Sequence, residues 1–272
     1  MTLVNALLTR AADLVLAPLA TLPPLAVVLG AALASAAVVL GVMRVASNQA
    51  ALGVVKRRIH ASLLEMRLYN DDVRALLRAQ GDLLGHHLRY VGLSLVPLVV
   101  TAVPLTLAIA QLQAFYGYQG VTSGQPIEVT ATLASGVTST PPRLEGAGVE
   151  VIGAARYFPT LGEATWQVLP TTTEPATLRV VTANGVVVDK SLVVGADIAR
   201  RSPVRAQASL TGQLLYPSEP PLDPAAGVTA ITVPYPERSL RVAGWDVHWL
   251  WIYLVATFAF VLLLRKPLGV VI

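Results

Sequence analysis

The sequence predicts a membrane protein: an α-helical three-span bundle with a cytoplasmic helical hairpin, plus an all-β domain of the immunoglobulin-like sandwich type. Three observations carry this. Of 272 residues, 54% are hydrophobic and only 13% charged, about half the charged share of a soluble domain, and the mean hydropathy is +0.61. The apolar residues are gathered into three uncharged runs. Between the second and third runs lies a segment rich in Thr, Val, Pro and Gly, whose apolar residues alternate with the period of strands.

Residues 1–22 form the first element. Leu7, Ala11, Leu14 and Val15 share one helical face, while Asn5, Thr9 and Asp13 fall elsewhere, as in a helix lying in the membrane surface. A cleaved secretory leader is the other reading of this end. Against it, Pro23-Pro24 splits the segment from the next run, which is too long for a leader's apolar core.

The first span is assigned to residues 23–44. No charge occurs between Asp13 and Arg44, and the stretch from Leu25 to Met43 is long enough to cross hydrocarbon as a helix. Residues 45–90 follow as a helical hairpin. Leu52, Val55, Ile59, Leu63 and Met66 recur at helical steps, Tyr69 to Asp72 break the pattern, and Val73, Leu77, Gln80, Leu84 and His87 resume it. Asp71 is the expected cap of the second arm, which runs on into the second span at residues 91–118, where Pro97 and Pro104 are tolerated if neighbours satisfy the freed carbonyls.

Residues 119–244 read as the β-domain. Leu178–Ala183 and Val186–Lys190 flank Asn184-Gly185, the signature of a type I′ hairpin. Further strands are expected at Ile127–Leu133, Val149–Ala155, Thr165–Leu169, Leu192–Val194, Val204–Leu210 and Ala230–Val233. About seven short strands with turn residues between them suggest an immunoglobulin-like sandwich, without the cysteine pair of antibody domains. The third span is assigned to residues 245–266, opening on Trp245, Trp249, Trp251 and Tyr253 and closing on Arg265 and Lys266; residues 267–272 are a short tail.

Charge placement gives the orientation. Arg44 to Tyr90 carries Arg44, Lys56, Arg57, Arg58, Arg67, Arg74, Arg78 and Arg89 against four acidic residues, an excess that holds such a connection in the cytoplasm. The N-terminus is then outside, the C-terminus inside, and residues 119–244 are exported across a bacterial or archaeal cytoplasmic (inner) membrane.

No phosphate loop, dinucleotide fingerprint, HExxH or GxSxG element occurs, so no catalytic residue, enzyme activity or cofactor is expected. With no cysteine, thiolate chemistry is excluded, and His60, His86 and His87 lack the companions of a metal centre. The spans hold no ionisable residue at mid-depth, which argues against proton relays and voltage sensing. Lys56, Arg57 and Arg58 could contact anionic lipid head groups or ribosomal RNA, or serve only to set topology; DNA is not an expected partner.

The order of these elements resembles the core of the YidC/Oxa insertase superfamily, in its short three-span branch. Glu65-Met-Arg-Leu-Tyr69 is similar to the end of that family's first hairpin arm, and Val96-Pro97, Val103-Pro104 and Gln111 to its proline-bearing second span. The resemblance covers residues 1–118 and 245–272, not the β-domain. It implies a membrane chaperone that helps other polypeptides insert without nucleotide hydrolysis, through a groove open to cytoplasm and lipid. Ser35, Ser94, Thr101 and Gln111 are the polar candidates to line such a groove. Many relatives carry an arginine within the membrane; here the nearest is Arg44, at the cytoplasmic end of the first span. The implied partners are the lipid bilayer and nascent membrane proteins or the ribosome. The alternative is a non-catalytic scaffold whose exported domain binds other subunits of a membrane complex.

Overall fold

The computed structural model describes residues 2–46, 49–69, 71–134 and 140–270. Among the described residues, six α-helices and ten strands alternate in blocks rather than one by one: α1 (Thr2–Leu19), α2 (Pro24–Ala46), α3 (Gln49–Leu68) and α4 (Val73–Tyr116) come first. The strands β1 (Ile127–Leu133) to β6 (Val187–Leu192) and β7 (Val204–Ala206) follow, then α5 (Leu210–Leu215), β8 (Val228–Thr232), β9 (Ser239–Val242), β10 (Trp245–His248) and α6 (Trp249–Leu264). Contacts divide the chain into two compact units, one of residues 1–27 and 109–251, the other of residues 28–108 and 252–272.

The helical unit follows the apolar runs. α2 and α4 are long and apolar enough to cross a membrane, whereas α6 is a shorter apolar helix of 16 residues. α4 is a single helix of 44 residues, about 66 Å long, so the hairpin's second arm and the apolar run at 91–116 are one element. Thr101 reaches back one turn and donates its hydroxyl to the Pro97 carbonyl at 2.6 Å. That carbonyl is not one of those freed by proline, which belong to Leu93 and Val100.

Two hairpin expectations are corrected. The cap of α4 is Asp72, not Asp71: its carboxylate accepts from the backbone N–H groups of Arg74 and Ala75 at 2.9 and 3.2 Å. On α3 the buried positions are Leu52, Val55 and Ser62, with Ile59 and Met66 half-buried and Leu63 exposed. On the second arm Val73, Leu77, Gln80, Leu84 and His87 are all exposed. The covered stripe is one position away, Ala75, Leu76, Ala79, Leu83 and His86. Asn70, part of the expected break, lies outside the described residues.

The β-domain has a five-stranded antiparallel sheet, order β3-β4-β1-β8-β7, and a three-stranded one, order β2-β5-β6. Here β2 is Arg143–Ala147, β3 Val149–Phe158, β4 Glu163–Pro170 and β5 Ala176–Val181. Inward residues of both sheets, among them Val129, Trp166, Val168 and Ile231 from the first and Leu178, Val180 and Leu192 from the second, form one core. β1 matches its expected bounds, and β3, β4, β5, β6 and β8 overlap theirs.

The other expectations shift. Residues 204–210 are not one strand: β7 ends at Ala206, and Ser209, its hydroxyl accepting from the Gly212 N–H, caps α5. The Asn184-Gly185 turn is not type I′, because Ala243 is the one described non-glycine residue with positive φ. Instead Gly185 N–H bonds the Thr182 carbonyl at 2.9 Å and Gly185 alone is left-handed, at φ 77°, a type I turn with a bulge. The Thr182 hydroxyl, bonded to both Val186 N–H and Val186 C=O, selects that form. Both φ values are positive at Ala243-Gly244, 51° and 89°, between β9 and β10. Trp245 to His248 thus belong to a strand rather than to the third apolar helix, which begins at Trp249.

Candidate functional site

Of the expected groove residues, Ser35 and Thr101 come together. They line a cavity of about 150 Å³ whose other walls, including Val38, Pro104, Leu105 and Ala108, are apolar. Ser35 also accepts a 2.7 Å hydrogen bond from the Tyr253 hydroxyl, which ties α6 to α2. Ser94 is half-buried elsewhere on α4, and Arg44 is exposed at the end of α2. Gln111 is not part of this cavity: it is buried in the other unit. Its side-chain oxygen accepts from an arginine of that unit.

Lys56, Arg57 and Arg58 are exposed on α3, as expected of a basic face. The same hairpin also exposes large apolar side chains, Leu64, Leu68, Val73, Leu77, Leu84 and Leu88. A helix pair that only met water would not leave so many such residues uncovered, interleaved with Arg67, Arg74, Arg78 and Arg89. Surfaces that combine leucine with arginine suit apolar segments flanked by acidic groups, or anionic lipid.

The strongest polar constellation lies in the unit that holds the β-domain. Arg200, in the loop after β6, donates from Nη2 and Nε to Asp13 Oδ1 on α1 at 2.7 and 2.8 Å. Its Nη1 donates to Gln111 Oε1 at 3.0 Å, its Nη2 reaches the Thr9 carbonyl at 3.4 Å, and the guanidinium lies 4.8 Å over the Phe115 ring. One side chain therefore joins α1, the end of α4 and the β-domain through a charge pair and a cation–π contact.

Next to it, Arg201 is 1% exposed and turns its Nη atoms onto the carbonyls of Tyr118, Gly195, Asp197 and Ala199. Its backbone N–H bonds the Ala114 carbonyl at 2.7 Å. Burial first, and then the neighbouring Arg238, push Arg201 down to about 10, still far above neutrality, so the cation persists. Lys190 is 0% exposed and donates to the Ser202 carbonyl at 2.6 Å and to the Glu219 carboxylate. Glu219 also accepts from Ser191 N–H and Oγ at 3.0 and 2.7 Å. Burial pushes the Lys190 ammonium down, and Glu219 opposes that. Two buried cations thus pin the loops that follow β6. Gly120 belongs to this junction, since a Cβ there would lie 2.1 Å from the Gly195 carbonyl oxygen.

Tyr235 closes the network. Its oxygen accepts from Val193 N–H at 2.9 Å, and burial, more than any charge, pushes its pKa up to about 12 from 10.0. The folded chain then holds the phenolic proton more tightly than the unfolded chain. This contribution, about 3 kcal/mol at most, is complete below pH 10 and lost as pH rises toward 12. Unfolding free energies of wild type and Tyr235→Phe are expected to differ below pH 10 and to converge above it. A gap that stays constant across that range would refute the assignment.

Sequence reasoning missed Arg200, Arg201, Lys190 and Glu219. The available signal was the adjacent pair Arg200-Arg201 in a chain only 13% charged, together with Asp13 and Gln111 as polar groups at the ends of apolar runs. Among the described residues no group of three or more His, Cys, Asp or Glu side chains could hold a metal ion. Comparison of the chain with family models, curated proteins and solved structures gives no match.

Proposed function

We propose that this chain is an insertase-like membrane chaperone of a cytoplasmic membrane, of the kind its resemblance to the YidC/Oxa superfamily implies. The observation that carries the reading is α4: one helix supplies both the apolar run and a hairpin arm whose surface mixes leucine with arginine. A client segment met at the hairpin could be handed along the same helix without crossing a joint. The reading places α6 in the bilayer as a third span of about 24 Å, shorter than the usual hydrocarbon thickness, which favours local thinning beside the Ser35–Thr101 cavity. It places the basic hairpin in the cytoplasm and the β-domain outside.

The β-domain's strand order supports an immunoglobulin-like sandwich. Runs β3-β4-β1 and β2-β5-β6 correspond to strands D-E-B and C-F-G of that fold, with β8 in the place of strand A. The scaffold reading is favoured by one observation, the rigid pinning of this domain's loops by Lys190 and Arg201. A photocrosslinker at Leu84 decides between them. The insertase reading expects capture of newly made membrane proteins in cells. Capture of only one stoichiometric partner, unaffected by blocking translation, would favour the scaffold and overturn the first reading.

A further inference from the structure

The helix α1 is amphipathic in the opposite sense to a helix on a soluble domain. Two of its polar residues point into the unit: Asp13 is bonded by Arg200, the Thr9 carbonyl accepts from Arg200, and the Thr9 hydroxyl donates to the Pro217 carbonyl at 3.2 Å. Leu7, Ala11, Leu14 and Val15 point out, Leu14 being 80% exposed. The Thr9–Pro217 bond brings in a second, independent element, because Pro217 follows α5, whose Leu214 and Leu215 are also exposed, Leu215 at 60%. Two segments some two hundred residues apart therefore expose leucines beside a shared polar clasp.

We propose that α1 and α5 form one lipid-facing surface, held together by the Arg200 clasp, whose partner is the boundary between head groups and acyl chains of a bilayer leaflet. Three features favour lipid over a protein partner. Only residues 20–23 separate α1 from α2, a helix long and apolar enough to cross a membrane. The one charge on α1 outside the clasp is Arg10, exposed, and a long basic side chain at such a face reaches head-group phosphates while its stem stays in the apolar zone. Among the described residues, Asp13 Oδ1, the Thr9 carbonyl and Gln111 Oε1 all accept from Arg200, so these polar groups are engaged within the unit rather than at a polar protein rim. Arg200 is then a positioning residue: it sets the β-domain against the membrane instead of leaving it on a tether. The proposal stands whether or not the chain inserts clients.

The chain has no cysteine, so single-cysteine variants carry no background. The full chain bearing Leu14→Cys, Leu215→Cys or Glu174→Cys is labelled with an environment-sensitive dye and reconstituted in phosphatidylcholine vesicles containing one quarter phosphatidylglycerol. Nitroxide-bearing lipids are expected to quench the dye at positions 14 and 215 but not at 174. Adding Arg200→Ala, or the milder Asp13→Asn, should lower quenching at 215 by at least half while sparing position 14. The paired reversal Asp13→Arg with Arg200→Asp should restore it. Position 215 unquenched by lipid in the parent, whether open to aqueous iodide or shielded by another copy, would overturn the lipid assignment. Quenching at 215 that ignores every clasp variant would overturn the clasp.

Discussion

Glu219→Ala is expected to destabilise the β-domain by about 3–5 kcal/mol, because it strands the Lys190 ammonium in a site with no water access. The Ser202 carbonyl alone cannot balance a full charge, and Ser191 loses the acceptor for both its N–H and its hydroxyl. With a urea dependence of about 2 kcal/mol per molar, the midpoint should fall by about 2 M. Replacing both partners, Lys190→Met with Glu219→Leu, should recover most of the loss, since a buried pair exchanged for apolar side chains of similar volume is often neutral. Pulse proteolysis of the full chain across a urea series reads both variants. A single variant as stable as the double one would show that the pair is not isolated from solvent.

Arg201→Ala should cost a comparable amount, on the order of 3–5 kcal/mol, by a different route. It leaves the carbonyls of Tyr118, Gly195, Asp197 and Ala199 short of their shared donor inside the junction, and opens a cavity where the side chain lay. Because the Arg201 backbone N–H also bonds Ala114 at the end of α4, protease sites near residues 195–203 should open before the core strands do. Arg201→Lys is expected to rescue poorly: a single ammonium cannot span four carbonyls that a planar fork reaches. Full rescue by lysine would mean that charge alone, rather than geometry, holds the loop.

Much of the architecture was legible because period and charge are local properties. The apolar run of α2, the break before Asp72 and the alternation of β1 each follow from a few neighbouring residues. What escaped depends on residues far apart. The spacing of the hairpin's second arm offers two adjacent stripes, one through Leu77 and Leu84, the other through Ala79 and Leu83, and only the partner surface selects the second. Asn184-Gly185 suits two turn types, and a threonine hydroxyl two residues away decides. Trp245 to His248 share their apolar character with the helix that follows, and it is pairing with Ser239–Val242 that makes them a strand. The clasp at Arg200 joins positions 13, 111 and 200, a separation that no window along the chain can connect. Ser35 and Thr101, polar groups in two apolar helices, line one cavity.

The central claim is that the basic hairpin and the β-domain face opposite compartments. Two single-cysteine variants test it, Leu64→Cys on exposed α3 and Glu174→Cys on an exposed loop of the β-domain. Spheroplasts treated with a membrane-impermeant maleimide should label position 174 at once and position 64 only after lysis. Labelling of position 64 in intact spheroplasts, or of both positions to the same extent, would contradict the orientation and with it the proposed route for a client along α4.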